Sequence, residues 1–195
     1  MLMLALFFAL ASAQVPCPSE LSASMSEASA RAQASDLRGA IDLLMKTGAS
    51  GCPDAVIGFI YLQGLLDARD AYARGAPPES LAPVKEAIAA LESTARGQAG
   101  PAEIARLMLQ AAAAAAQSER DEMALYLEHA ERMDELLRAA GEPAAPVLSA
   151  AEVSGELWLE VQRYDDAERA FRRAAGQVGM TPRVVSGLAR VAAAR

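Results

Sequence analysis

The sequence predicts an all-α chain of antiparallel helix pairs, on three observations. Hydrophobic residues make up 53% of the 195 positions but aromatics only 5%, so alanine carries much of the apolar content. Alanine loses no side-chain entropy in a helix and favours that state. Apolar residues recur at helical spacing between the breaks: Leu81, Val84, Ile88, Leu91 and Ala95 share one face, as do Met123, Tyr126, Leu127, Ala130, Met133 and Leu137. No segment alternates with period two. The breaks themselves are regular, because 48–53, 75–78, 97–101, 141–146 and 176–182 each run from Gly to Pro. Glycine takes the left-handed conformation that ends a helix, and proline is tolerated in the first turn of the next.

Taken in order, the chain opens on "MLMLALFFALASA", an apolar run ending in Ala11-Ser12-Ala13. This pattern reads as a signal peptide over 1–13 with cleavage after Ala13, although no Lys or Arg precedes the run. The run is too short to span a bilayer. The expected product is a secreted or periplasmic chain, 14–195, with no stable membrane insertion. Export places Cys17 and Cys52 in an oxidising compartment, where an even number of thiols is expected to pair. Each precedes a proline, at the expected starts of the first and third helices. In an up-down-up array those starts lie at the same end of adjacent units, so a Cys17–Cys52 disulfide is geometrically feasible.

Nine helices are expected, over 19–34, 36–46, 54–74, 79–96, 101–117, 119–139, 147–162, 165–175 and 183–194. Softer breaks at Ser35-Asp36, Ser118-Glu119 and Arg163-Tyr164 divide three longer segments into pairs. Short connections make successive helices antiparallel neighbours. The third helix contains "AVIGFIYLQGLL", apolar nearly all round, which marks it for the centre of the array. The six alanines 111–116 suit close helix contact. The last helix carries Val184, Val185, Leu188 and Val191 with nothing following to cover them. That edge predicts either a further unit downstream or a homodimer through the C-terminal helix.

Gly155, Trp158, Ala167, Phe171 and Ala174, with "RYDDA" as the turn between two helices, resemble a tetratricopeptide repeat over 150–180. Elsewhere the pattern is divergent: Ala28, Ala40 and Leu44 keep the spacing in the first pair, and Ala111, Met123, Leu127 and Ala130 in the third. Gly187 falls where one more unit would begin. The resemblance implies that a small residue in one helix lets its partner approach, that a ring fills the gap, and that the pairs stack as a right-handed superhelix. It also implies an inner groove, lined by the first helix of each pair, that binds a peptide or protein segment. Carried onto these positions, the groove row is Glu152, Glu156 and Glu160, with Met25, Tyr61, Leu65 and Met108 from neighbouring first helices. Three acids at four-residue spacing repel one another with no local cation, so the expected partner segment is basic among apolar residues.

Other functions find little footing. A net charge of −7 and a pI of 4.8, with no Lys/Arg cluster, argue against nucleic acid. His129 is the single histidine, and no acid near it forms a Glu-x-x-His arrangement. No Gly-x-Ser-x-Gly elbow or phosphate-binding glycine loop occurs. Gly58 and Gly64 sit inside a helix, where packing accounts for them. Catalytic residues, metal ligands and cofactors are therefore not expected. The reading is an exported, non-catalytic scaffold or adaptor, with a structural or oligomerisation module of a larger envelope protein as the alternative.

Overall fold

A computed structural model describes residues 19–48, 52–75, 77–95, 99–142 and 147–195. The described residues are helical and contain no strand. The helices are α1 (Ser19–Gln33), α2 (Leu37–Gly48), α3 (Pro53–Ala73), α4 (Ala82–Ala95), α5 (Ala99–Ala116), α6 (Arg120–Ala139), α7 (Ala150–Glu160), α8 (Tyr164–Val178) and α9 (Pro182–Ala193). A single 3₁₀ turn over Pro78–Leu81 leads into α4. The expected signal peptide and Cys17 lie outside the described residues.

Three of the pairs are closed by one and the same turn. Ser35, Ser118 and Gln162 each take a left-handed backbone conformation, with φ of 67°, 63° and 61°. After each, an amide reaches back to close the helix end: Asp36 N to Arg31 O at 2.9 Å, Glu119 N to Ala114 O at 2.9 Å, and Arg163 N to Trp158 O at 2.8 Å. This is the double-bonded helix stop that satisfies the last carbonyls of a helix. Here it occurs at non-glycine residues, so α1–α2, α5–α6 and α7–α8 are hairpins of one design. Gly75 and Gly141 end α3 and α6 with the positive φ that the glycine breaks imply.

Consecutive helices pack on one another, and α3, α5, α7 and α9 also touch in succession. The main apolar core runs from α1 to α7 around Tyr61, Leu62, Met108, Leu109 and Leu127. Gly64 lets α3 approach α5, because a Cβ there would lie 2.7 Å from Leu109 Cδ1. Two smaller clusters complete the C-terminal end: Leu159, Ala167, Phe171 and Val191 in one, Ala151, Ala174 and Val184 in the other.

The last helix departs from expectation. Val184 and Val191 are buried and Leu188 is half-buried, packed among the residues of α7 and α8. Those positions are covered because α9 packs on α7 and α8. What remains exposed there is Val185, together with Met180.

Candidate functional site

Gly155 and Phe171 meet across the α7–α8 hairpin. Phe171, fully buried, projects from α8 between two glycines: a Cβ on Gly155 of α7 would lie 2.6 Å from its ring, and one on Gly187 of α9 would lie 2.3 Å away. Neither glycine tolerates a side chain unless the ring or a helix moves. Ala167 and Ala174 are buried on the same helix. Trp158 is half-buried and touches both the main core and the Phe171 cluster, with the Arg163 guanidinium 5.8 Å from its ring centre.

The groove row is placed differently. Helix α7 is buried along nearly its whole length, and Glu152 and Glu156 are buried with it. Tyr61, Leu65 and Met108 lie in the core, and Met25 is half-buried against it. Buried in this way, Glu152, Glu156, Tyr61, Leu65 and Met108 do not line an open channel. The physical reason is that each carboxylate has found partners from elsewhere in the chain.

Glu152 belongs to a capping box at the start of α7. The Ser149 amide and hydroxyl donate to its Oε2 at 3.1 and 3.0 Å, and the Glu152 amide donates to Ser149 Oγ at 3.2 Å. Its other oxygen accepts from the Thr181 hydroxyl at 2.8 Å, and Thr181 Oγ1 in turn caps α9 by accepting from Val184 N at 3.2 Å. One buried carboxylate thus joins the starts of two helices. Beside it, Asp134 of α6 accepts from Ala150 N at 3.1 Å and pairs with Arg138 at 3.1 Å.

Glu156 and Glu160 are met by three arginines. Arg190 Nη1 of α9 lies 2.8 Å from Glu156, Arg183 Nη1 lies 3.7 Å from it, and Arg69 Nη2 of α3 lies 4.0 Å from it. Arg69 Nε also pairs with Glu160 at 2.9 Å, while the Tyr72 hydroxyl of α3 donates to the Glu160 carbonyl at 2.6 Å. Arg183 Nη2 continues to the Ala32 carbonyl at the end of α1, at 2.8 Å. The Ser29 hydroxyl of α1 donates to Val147 O at 2.9 Å, just ahead of α7. Helices α1, α3, α7 and α9 are therefore stitched together by side-chain contacts. Burial pushes the Glu160 carboxyl above the usual carboxylate range, with Arg69 opposing that shift, and burial lowers the Arg183 guanidinium. Burial holds the Tyr61 phenol protonated, reinforced by Asp134.

Sequence reasoning missed Ser149, Thr181, Arg69, Arg183 and Arg190. The Ser-x-x-Glu spacing of Ser149 and Glu152 was a usable signal. Nothing local announces that the arginines of α3 and α9 reach α7. His129 is exposed on α6. Cys52 is fully buried and is not a free thiol. Among the described residues no helix is long and apolar enough to cross a membrane, and no group of His, Cys, Asp and Glu is placed to hold a metal ion. No known protein family, curated protein or solved structure matches the chain.

Proposed function

We propose that the chain is an exported, non-catalytic scaffold of tetratricopeptide type that holds a peptide or helical segment of a protein partner. The observation that carries this reading is the Phe171 ring seated between Gly155 and Gly187. Helical repeats stack by burying each unit's apolar face against the next, and a ring of α8 received by glycines of α7 and α9 is a joint of that kind. The repeated hairpin turn at Ser35, Ser118 and Gln162 supports the same reading. In this proposal residues 1–13 direct export, and Cys17 pairs with Cys52 in the oxidising compartment. Over a loop of about 36 residues such a bridge stabilises the fold by roughly 3–4 kcal/mol on the chain-entropy view. Thiol titration of the denatured, unreduced chain should return no free groups, and two free groups would remove the bridge.

The test of the scaffold reading is crosslinking of chain 14–195 in an envelope extract, with the crosslinks mapped by mass spectrometry. A partner linked through α3, α7 or α9, alongside a concentration-independent monomer mass in light scattering, is the expected result. The stitching of these helices favours one second reading, a structural or oligomerisation module. Self-association with concentration and no foreign crosslink would select it.

A further inference from the structure

The seam between α3, α7 and α9 is incompletely satisfied. Arg183 is only 3% exposed, yet its Nε has no hydrogen-bond partner. Buried donors are paired as a rule, so this N–H is available to an acceptor that reaches it. A void of about 20 Å³ adjoins it, lined by Leu37, Leu65 and Leu157 and by Arg69, Glu160 and Arg183. That volume admits about one water molecule. The acids and the cations of the seam differ in how firmly they are held. The Glu156 side chain is 8% exposed, whereas those of Arg69 and Arg190 are 36% and 47% exposed. Arg69 and Arg190 therefore reach water more readily than the carboxylates they cover. A buried carboxylate left without a cation is strongly destabilising. Arg183 and Arg190 still face Glu156 once Arg69 leaves, but Glu160 loses the guanidinium paired with it, so whatever displaces Arg69 must bring a positive charge to Glu160.

Building on the scaffold reading above, we infer that the seam is a self-occupied recognition site, in which Arg69 holds the place of a basic side chain from the partner segment. The segment that fits carries an arginine beside an apolar residue. Its guanidinium pairs with Glu156 and Glu160, and a backbone carbonyl accepts from Arg183 Nε. Its apolar side chain takes the place of the Arg69 stem beside Leu37, Leu65 and Leu157, which line the same small void. A peptide supplies all three groups within neighbouring residues, and a simple cation supplies only one.

The experiment vacates the site. In chain 14–195, Arg69→Ala is titrated with n-butylguanidinium, with n-butylammonium, and with the peptides acetyl-Leu-Arg-Leu-amide and acetyl-Leu-Glu-Leu-amide. Butylguanidinium should raise the melting temperature of Arg69→Ala saturably and more than butylammonium does. It should do neither in a variant that adds Glu156→Gln and Glu160→Gln. The arginine peptide should bind Arg69→Ala about tenfold more tightly than the wild type, where it must first displace the resident side chain, and the glutamate peptide should bind neither. In the wild type, the same arginine peptide should shift the NMR signal of Arg69 Nε, a readout that does not depend on the variant folding. Absence of saturable rescue, equal rescue in the glutamine variant, or an Arg69 signal unmoved by peptide would overturn the inference. If the wild type captures a partner while the guanidinium site is absent, the seam is refuted and the scaffold reading stands. Rescue and peptide binding with no captured partner uphold the seam and count against the scaffold.

Discussion

Helices α5 and α7 are both buried along most of their length, and they are buried by opposite means. The buried residues of α5 are apolar, alanines 111–115 among them, with Ile104, Met108 and Leu109 beside them. The buried residues of α7 include Glu152, Ser154 and Glu156. Small apolar side chains accept any neighbour of the right shape, so α5 is held by area and close approach. Charged side chains accept only partners at the right distance and angle, so α7 is held by the capping box, Thr181 and the arginines of α3 and α9. The difference teaches that α5 is specified by volume and the polar row of α7 by pairing.

The largest expected effects fall at the C-terminal joints. Phe171→Ala empties the space between Gly155 and Gly187 and should cost about 3–5 kcal/mol in urea denaturation. A loss below about 1 kcal/mol would mean that α7 and α9 close the gap, and the joint would not be a joint. Glu156→Leu leaves Arg183 buried with its nearest anion gone, and a loss of about 3–5 kcal/mol is expected. Adding Arg183→Leu should recover part of that loss, because two apolar side chains satisfy each other where one unpaired charge cannot. If the double variant is less stable than the single, the seam is specified by the hydrogen bond from Arg183 to Ala32 and not by charge.

In α5 the corresponding test is volume. Ala112→Leu inserts three carbons into a position 2% exposed and should cost about 1–3 kcal/mol. A neutral result would show that the body packs loosely, and the contrast with α7 would fail. The smallest effect is one of pH. Because burial raises the Glu160 carboxyl, its ionisation opposes folding. Its contribution to stability is fully present below the unfolded carboxylate value and is lost as pH rises through the higher folded one. The stability of the wild type relative to Glu160→Gln should therefore fall as pH rises out of the carboxylate range. A difference that grows with pH would mean that Arg69 outweighs burial at this site.

The helices were legible because each is written locally. The breaks at 75–78 and 176–182 and the turns at Ser35, Ser118 and Gln162 are set by residues within a few positions of one another. Gly155 and Phe171 were readable for a related reason: their sizes are complementary at a spacing fixed by one hairpin. The start of α7 was expected at 147 and lies at Ala150, since Ser149 and Glu152 form the cap. The pairing of α7 was not legible. Three acids in a row on α7 read as an open, repelling face because their cations come from Arg69, Arg183 and Arg190, on helices that no local pattern joins to α7. The last helix was misjudged for the same reason. Its apolar stripe looks uncovered until Val184 and Val191 are seen to pack into the α7–α8 hairpin itself.

The hydrogen bond from Arg183 to the Ala32 carbonyl joins residues 151 positions apart in sequence, and this sets an order of assembly. The hairpins close over short stretches and form early, whereas a contact of such separation waits on nearly the whole chain. A chain emerging from its N-terminus builds α1 to α6 from neighbouring pairs while the carbonyl end of α1 still lacks its guanidinium. The seam is then the final event of folding, and the first place where pulling on the C-terminus would begin to undo it.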